Sequence, residues 1–155
     1  MTDNPGRLVR ESVDHCLDLA TTWIAWDGRP IARGENVWSP NKAYRRIVDH
    51  LIDHLAEAEA LLAGADTIPD SRHGRMVTLE ADLARFTEAD LNEARNVLAR
   101  LGQLWELRLG ALDPAEWDAP RGEHMTLRQM AEHLRGVRWY ADQVGRLPML
   151  PETGE

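Results

Sequence analysis

Ser39-Pro40-Asn41-Lys42-Ala43-Tyr44-Arg45-Arg46-Ile47-Val48-Asp49-His50-Leu51-Ile52-Asp53-His54-Leu55-Ala56-Glu57-Ala58-Glu59-Ala60-Leu61-Leu62-Ala63-Gly64 reads as one helix with both of its ends encoded. Serine is a good N-cap. Proline at the first helical position gives up no hydrogen bond, because that N–H has no intrahelical partner. Gly64 suits the left-handed residue that closes a helix. Between these ends Ile47, Val48, Leu51, Leu55, Ala58 and Leu62 recur in steps of three and four, the spacing of one buried stripe.

The same pattern repeats on either side. Upstream, a helix is predicted from about Arg7 to Ala25, with Val9, Val13, Cys16, Leu17, Ala20, Trp23 and Ile24 on one face. It stops at the turn signal Asp27-Gly28-Arg29-Pro30. Downstream, a short helical piece over Leu79–Phe86 precedes a long helix capped by Thr87. Phe86 and Leu91 are placed there as a hydrophobic staple, and Leu91, Ala94, Leu98, Leu101, Trp105 and Leu112 form the seam. A last helix opens at Met125-Thr126-Leu127-Arg128-Gln129-Met130, where Thr126 and Gln129 make a capping box and Met125 and Met130 a staple. Leu127, Met130, Leu134, Val137, Ala141 and Val144 face inward, and Gly145 and Pro148 end it. No segment alternates as a strand between hairpin signals. The expectation is an all-α fold, one domain over residues 1–155, in which four amphipathic helices bury their stripes as a four-helix bundle. The connections at 26–38 and 64–86 are long enough to be functional or to wrap an open end.

With 155 residues the chain is long enough to bury a core without staples. Apolar residues make up 43% and charged residues 28%, a globular balance. No window has the roughly 18 consecutive apolar residues of a membrane span, and Met1-Thr2-Asp3-Asn4-Pro5-Gly6 lacks the layout of a signal peptide. A cytoplasmic location is expected. The net charge of −8 disfavours phosphate backbones and anionic membranes, so neither nucleic acid nor membrane is an expected partner. Lys42 is the only lysine. The single cysteine, Cys16, falls in the first apolar stripe and reads as a small core residue rather than a reactive thiol.

His50 and His54 are the chemical signal. At 100° per residue they lie about 40° apart, one turn above the other. Imidazoles at this spacing converge on a single transition metal; the plain alternative is one hydrogen-bonded interfacial histidine and one exposed one. His54 points to the core side, His50 to the edge of the same flank, and Asp49 and Asp53 to the opposite, solvated face. His133 flanks the stripe of the last helix, and ligands from facing helices meet inside a bundle. Three neutral nitrogens with an open position suit zinc, nickel or another divalent transition metal; His133 as an ordinary boundary residue is the competing reading. Glu57, near the His50 flank, is a fourth ligand, an acceptor behind a ligand, or a solvated carboxylate. His15, off its stripe, and His73 and His124, in loops, read as solvated.

Trp23 and Trp105 sit at core positions. Trp26, Trp38, Trp139 and Tyr140 either line a small-molecule pocket at the bundle's open end or cover that end. The chain has no Gly-rich phosphate loop, no Gly-x-Ser-x-Gly, no Cys-x-x-Cys and no Glu-x-x-His.

The stretch Arg29-Pro30 and Val37 to Gly64, together with Met125–Leu134 and the following Trp139-Tyr140, resembles the second and last helices of the DinB/YfiT-like superfamily. The resemblance spans nearly the whole chain. It implies an up-down-down-up bundle, often a homodimer, with a divalent metal held by three histidines. It also implies thiol-dependent transferase or isomerase chemistry with a low-molecular-weight thiol such as mycothiol or bacillithiol. The family pattern has one histidine on the second helix and two, four apart, on the last. Here the second helix carries the pair and Val137 stands at the other position. Carried over residue by residue, His133 and one of His50 and His54 match; either the spare histidine completes the triad or the site is degraded. Two expectations follow. In the first, a metal on His50, His54 and His133 lowers the pKa of a bound thiol, whose thiolate attacks a small electrophilic substrate, with Trp38 and Tyr140 in the pocket. In the second, the chain is a non-catalytic dimerising or ligand-binding bundle.

Overall fold

The computed structural model describes residues 3–69 and 76–149. The predicted position of His73 lies outside them. Helix α1 spans Gly6–Ala20, and a 3-10 turn at Trp23–Ala25 follows it. A hairpin of β1 (Ile31–Arg33) and β2 (Asn36–Trp38) leads into α2 (Pro40–Ala63). A 3-10 turn at Glu80–Leu83 precedes α3 (Glu88–Gly110), and a short α4 (Pro114–Trp117) follows. The last predicted helix is α5 (Leu127–His133) and α6 (Val137–Val144), separated by a 3-10 turn at Leu134–Gly136. The chain is therefore mostly helical.

The ends of α2 are those its sequence encodes. The Lys42 N–H donates to Ser39 Oγ at 3.1 Å, and Gly64 takes φ 67°. Thr126 and Gln129 close their capping box, with Gln129 N–H to Thr126 Oγ1 at 3.1 Å and Thr126 N–H to Gln129 Oε1 at 2.9 Å. Phe86 and Leu91 are both buried at the start of α3.

Two expectations need correction. The chain is not purely α: Ile31 pairs with Trp38, Ala32 with Val37 and Arg33 with Asn36, antiparallel. Three-residue strands are too short to show alternation, and Gly34, at φ 61°, supplies the turn conformation the hairpin requires. The first helix is also shorter than predicted and Ile24 lies on the surface, because the 3-10 turn rotates it away from the stripe.

Helix α1 packs most extensively on α3 and also on α6; α2 packs on α6 and more lightly on α3. Val9, Val13, Ile47, Leu51, Leu98, Trp105, Leu109, Leu127, Met130 and Leu134 are fully buried between them. Four indole N–H groups are matched to carbonyls at the edges of this core. Trp105 donates to Leu51 at 3.3 Å, Trp117 to Leu109 at 2.8 Å, Trp23 to Gly145 at 2.9 Å and Trp26 to Arg29 at 2.9 Å. Asp82 is buried and fixes the 3-10 turn to α2, accepting from Arg45 Nε at 3.1 Å, Arg45 Nη2 at 2.8 Å and the Leu79 N–H at 2.7 Å. Burial pushes its carboxyl pKa upward, but the Arg45 and Leu79 hydrogen bonds and the charges of Arg45 and Lys42 outweigh this and hold it below the usual range. No described helix is long and apolar enough to cross a membrane.

Candidate metal centre

Helix α2 carries two parallel buried lines. One is apolar: Ala43, Ile47, Leu51. The other is Lys42, Arg46, His50 and His54, each one turn below the last and each buried. A polar line inside a protein requires partners along its length. Lys42 has them: its ammonium donates to the Val37 carbonyl at 2.6 Å and to Thr78 Oγ1 at 3.0 Å, and lies 4.6 Å from the Trp38 ring centroid.

At the other end of the line the three predicted histidines come together. Ring centroids are 5.0 Å apart for His50 and His54, 4.8 Å for His50 and His133, and 4.9 Å for His54 and His133. This is a nearly equilateral triangle. One nitrogen from each ring lies within 4.8 Å of the others. Metal–imidazole bonds of about 2.0–2.1 Å with tetrahedral angles put ligand nitrogens roughly 3.3 Å apart, so small side-chain adjustments close the triangle on an ion. His50 and His54 are buried, whereas His133, the last residue of α5, is exposed. The cluster therefore has a protein-lined side and a solvent side. Three imidazoles without a carboxylate among them match the preferences of zinc and neighbouring divalent transition metals.

Glu57 resolves the choice left open by the sequence. Its Oε1 is 3.1 Å from His54 Nδ1 and its Oε2 is 3.2 Å from His124 Nδ1. A carboxylate oxygen accepts, so this contact favours a proton on His54 Nδ1, the tautomer in which Nε2 is the ligating nitrogen. His124 is correspondingly not a free loop histidine but half-buried against Glu57. His15 likewise has a partner, Asp142 Oδ1, at 2.8 Å. Asp49 and Asp53 are half-buried rather than fully solvated, and Asp49 lies 3.6 Å from Arg46 Nη1 and 3.9 Å from Arg45 Nη1.

Tyr140 joins the cluster to the upper part of the line. Its ring is 5.9 Å from His50, 6.0 Å from Trp38 and 5.2 Å from the Arg46 guanidinium carbon, and its hydroxyl accepts from Arg46 Nη2 at 3.3 Å. Trp38 is fully buried behind it, while Trp139, 5.5 Å from Trp38, is half-exposed. Trp38 thus backs the wall, and Tyr140 is the part-exposed member of the predicted pair. Arg46 was not singled out by its sequence context. The signal that finds it is the i+4 run Lys42-Arg46-His50-His54 beside an apolar line. Among the described residues, Arg46 Nε and Nη1 and Trp38 Nε1 are buried donors with no hydrogen-bond acceptor.

Val137 is fully buried and begins α6. Cys16 is also fully buried; desolvation first, and then the Asp142 charge, push its thiol pKa up to about 12. Comparison of the chain with family models, with curated proteins and with solved structures finds no match.

Proposed function

We infer that the chain is a DinB-like metalloprotein in which His50, His54 and His133 hold one divalent transition ion, zinc or nickel by ligand type, and that it catalyses thiol-dependent transfer or isomerisation on a small electrophile. The observation that carries the reading is the equilateral histidine triangle, closed by residues from α2 and α5 and open on the His133 side. The fold proposed with it is the up-down-down-up four-helix bundle. The packing of α1 on α3, α3 on α2, α2 on α6 and α6 on α1, a closed ring of neighbours, supports that arrangement.

A bound divalent ion supplies Lewis acidity, which favours the thiolate form of a thiol near neutral pH. The chain's residues supply the rest. Glu57, 3.1 Å from His54 Nδ1, favours the tautomer that leaves Nε2 for the ion. His133 keeps the centre at the surface, where a small thiol enters and its proton leaves to solvent. Tyr140 and Trp38 form the wall beside His50. The nucleophilic sulfur comes from a co-substrate, because Cys16, the only cysteine, is buried with its thiol held protonated. A cytoplasmic homodimer acting on small molecules completes the proposal. The second reading, a non-catalytic ligand-binding or dimerising bundle, draws support from Val137, an apolar core residue where the family pattern has a histidine.

Metal analysis of protein purified without a histidine tag tests this. After incubation with zinc or nickel and removal of free ion, one equivalent per chain is expected. His54→Ala and His133→Ala, checked for retained helicity by circular dichroism, should lose it. Absence of stoichiometric uptake by the natural chain overturns the proposal.

A further inference from the structure

Arg46 is 3% exposed in a protein whose net charge is −8. An isolated buried guanidinium is strongly unfavourable, and natural structures match it with a carboxylate or another acceptor set. Neighbouring cations are matched by close hydrogen bonds. Lys42 is satisfied by Val37 and Thr78, and Arg45 by Asp82 and the Val77 carbonyl. Arg46 makes one hydrogen bond, a long one to Tyr140, and a loose ion pair with the half-buried Asp49, whose Oδ2 stands 3.6 Å from Nη1, beyond hydrogen-bond distance. Nε and Nη1 are left without acceptors. The indole N–H of Trp38 is in the same condition, although four other tryptophans of the chain donate to carbonyls. Both groups flank one ring, Tyr140, which also touches His50.

We propose that Arg46, with the Tyr140 hydroxyl and the Trp38 indole, seats a carboxylate about one helical turn from the histidine cluster, so that the substrate is a small electrophile bearing a carboxylate. A planar guanidinium matches a planar two-oxygen acceptor. Its place on α2, one turn above His50, anchors the charged end of a ligand whose reactive end reaches the histidines. The assignment of that reactive end rests on the metal reading; the anion seat itself does not.

The test follows the Trp38 indole N–H by proton–nitrogen NMR in the full chain, assigned with Trp38→Phe. Zinc-treated and metal-free protein are titrated with sodium succinate, with sodium chloride at matched ionic strength as control. Succinate should shift the Trp38 resonance saturably and chloride should not. Arg46→Gln should weaken succinate binding by on the order of tenfold or more. Arg46→Lys, which keeps the charge and loses the planar fork, should weaken it as well. His54→Ala should keep the shift. A natural chain that gives no saturable shift, or the same shift with chloride, overturns the proposal whether or not the variants fold, and so does undiminished affinity in Arg46→Gln. Zinc uptake without a succinate response removes the anion seat and leaves the metal reading. A succinate response without zinc uptake does the reverse.

Discussion

Glu57 holds a carboxylate oxygen 3.1 Å from His54 Nδ1, where it favours a proton on that nitrogen. Glu57 touches both His54 and His124, a placement suited to orienting His54. Glu57→Ala should reduce zinc affinity by roughly 10–100-fold with the fold intact, read by competition with a chromophoric chelator. Unchanged affinity would show that Glu57 does not position His54. Asp82 is a structural counterpart. Its folded pKa lies below its unfolded value, so its contribution to stability is complete above about pH 4 and disappears as pH falls through the folded pKa. The stability gap between the natural chain and Asp82→Asn, measured by urea unfolding, should be constant near neutrality and close below about pH 4. A gap that widens on acidification would contradict the Arg45 pairing. The histidine trio was legible because its members flank apolar stripes. The partners of Glu57 were not, because His124 lies far along the chain and only the folded backbone brings it near.

Among the elements, close approach of helices has its own signature in glycine. A Cβ on Gly6 would stand 2.7 Å from Glu106 Cα and 2.7 Å from the Trp105 carbonyl oxygen, so α1 meets α3 backbone to backbone at its first residue. Gly6→Ala must push the helices apart and should lower unfolding stability by about 1–3 kcal/mol. Gly136, in the turn between α5 and α6, has helical φ and ψ of −61° and −14° and open space where a Cβ would stand. Gly136→Ala should therefore stabilise the chain by about 0.4–1 kcal/mol. Urea midpoints that move in the same direction for both would refute the packing distinction. Helix α2 was read to the residue because Ser39, Pro40 and Gly64 mark its ends chemically. The break after His133 was not, because the apolar steps of Leu127, Met130, Leu134, Val137 and Ala141 run through it unchanged, and a 3-10 turn shifts phase too little to disturb them. The hairpin escaped for a related reason: period-two alternation needs more than three residues to be visible.

Across the whole molecule the cluster joins α2 to α5, two elements far apart in sequence, so an ion bound there links folding to metal concentration. His133 is exposed and stands at the cluster rather than in the hydrophobic core. Without metal, His133→Ala should unfold within about 0.5 kcal/mol of the natural chain, as surface substitutions do. At free zinc a thousandfold above the dissociation constant, the natural chain should gain about 4 kcal/mol, because binding to the folded state alone shifts unfolding by mass action. His133→Ala should lose most of that gain. Thermal or urea unfolding with buffered zinc and with chelator measures both quantities. An equal zinc increment in the variant would place the ion elsewhere on the protein. A zinc increment abolished by His133→Ala and also by His50→Ala would require residues from both helices at one ion, because surface chelation by the α2 pair alone would survive the loss of His133.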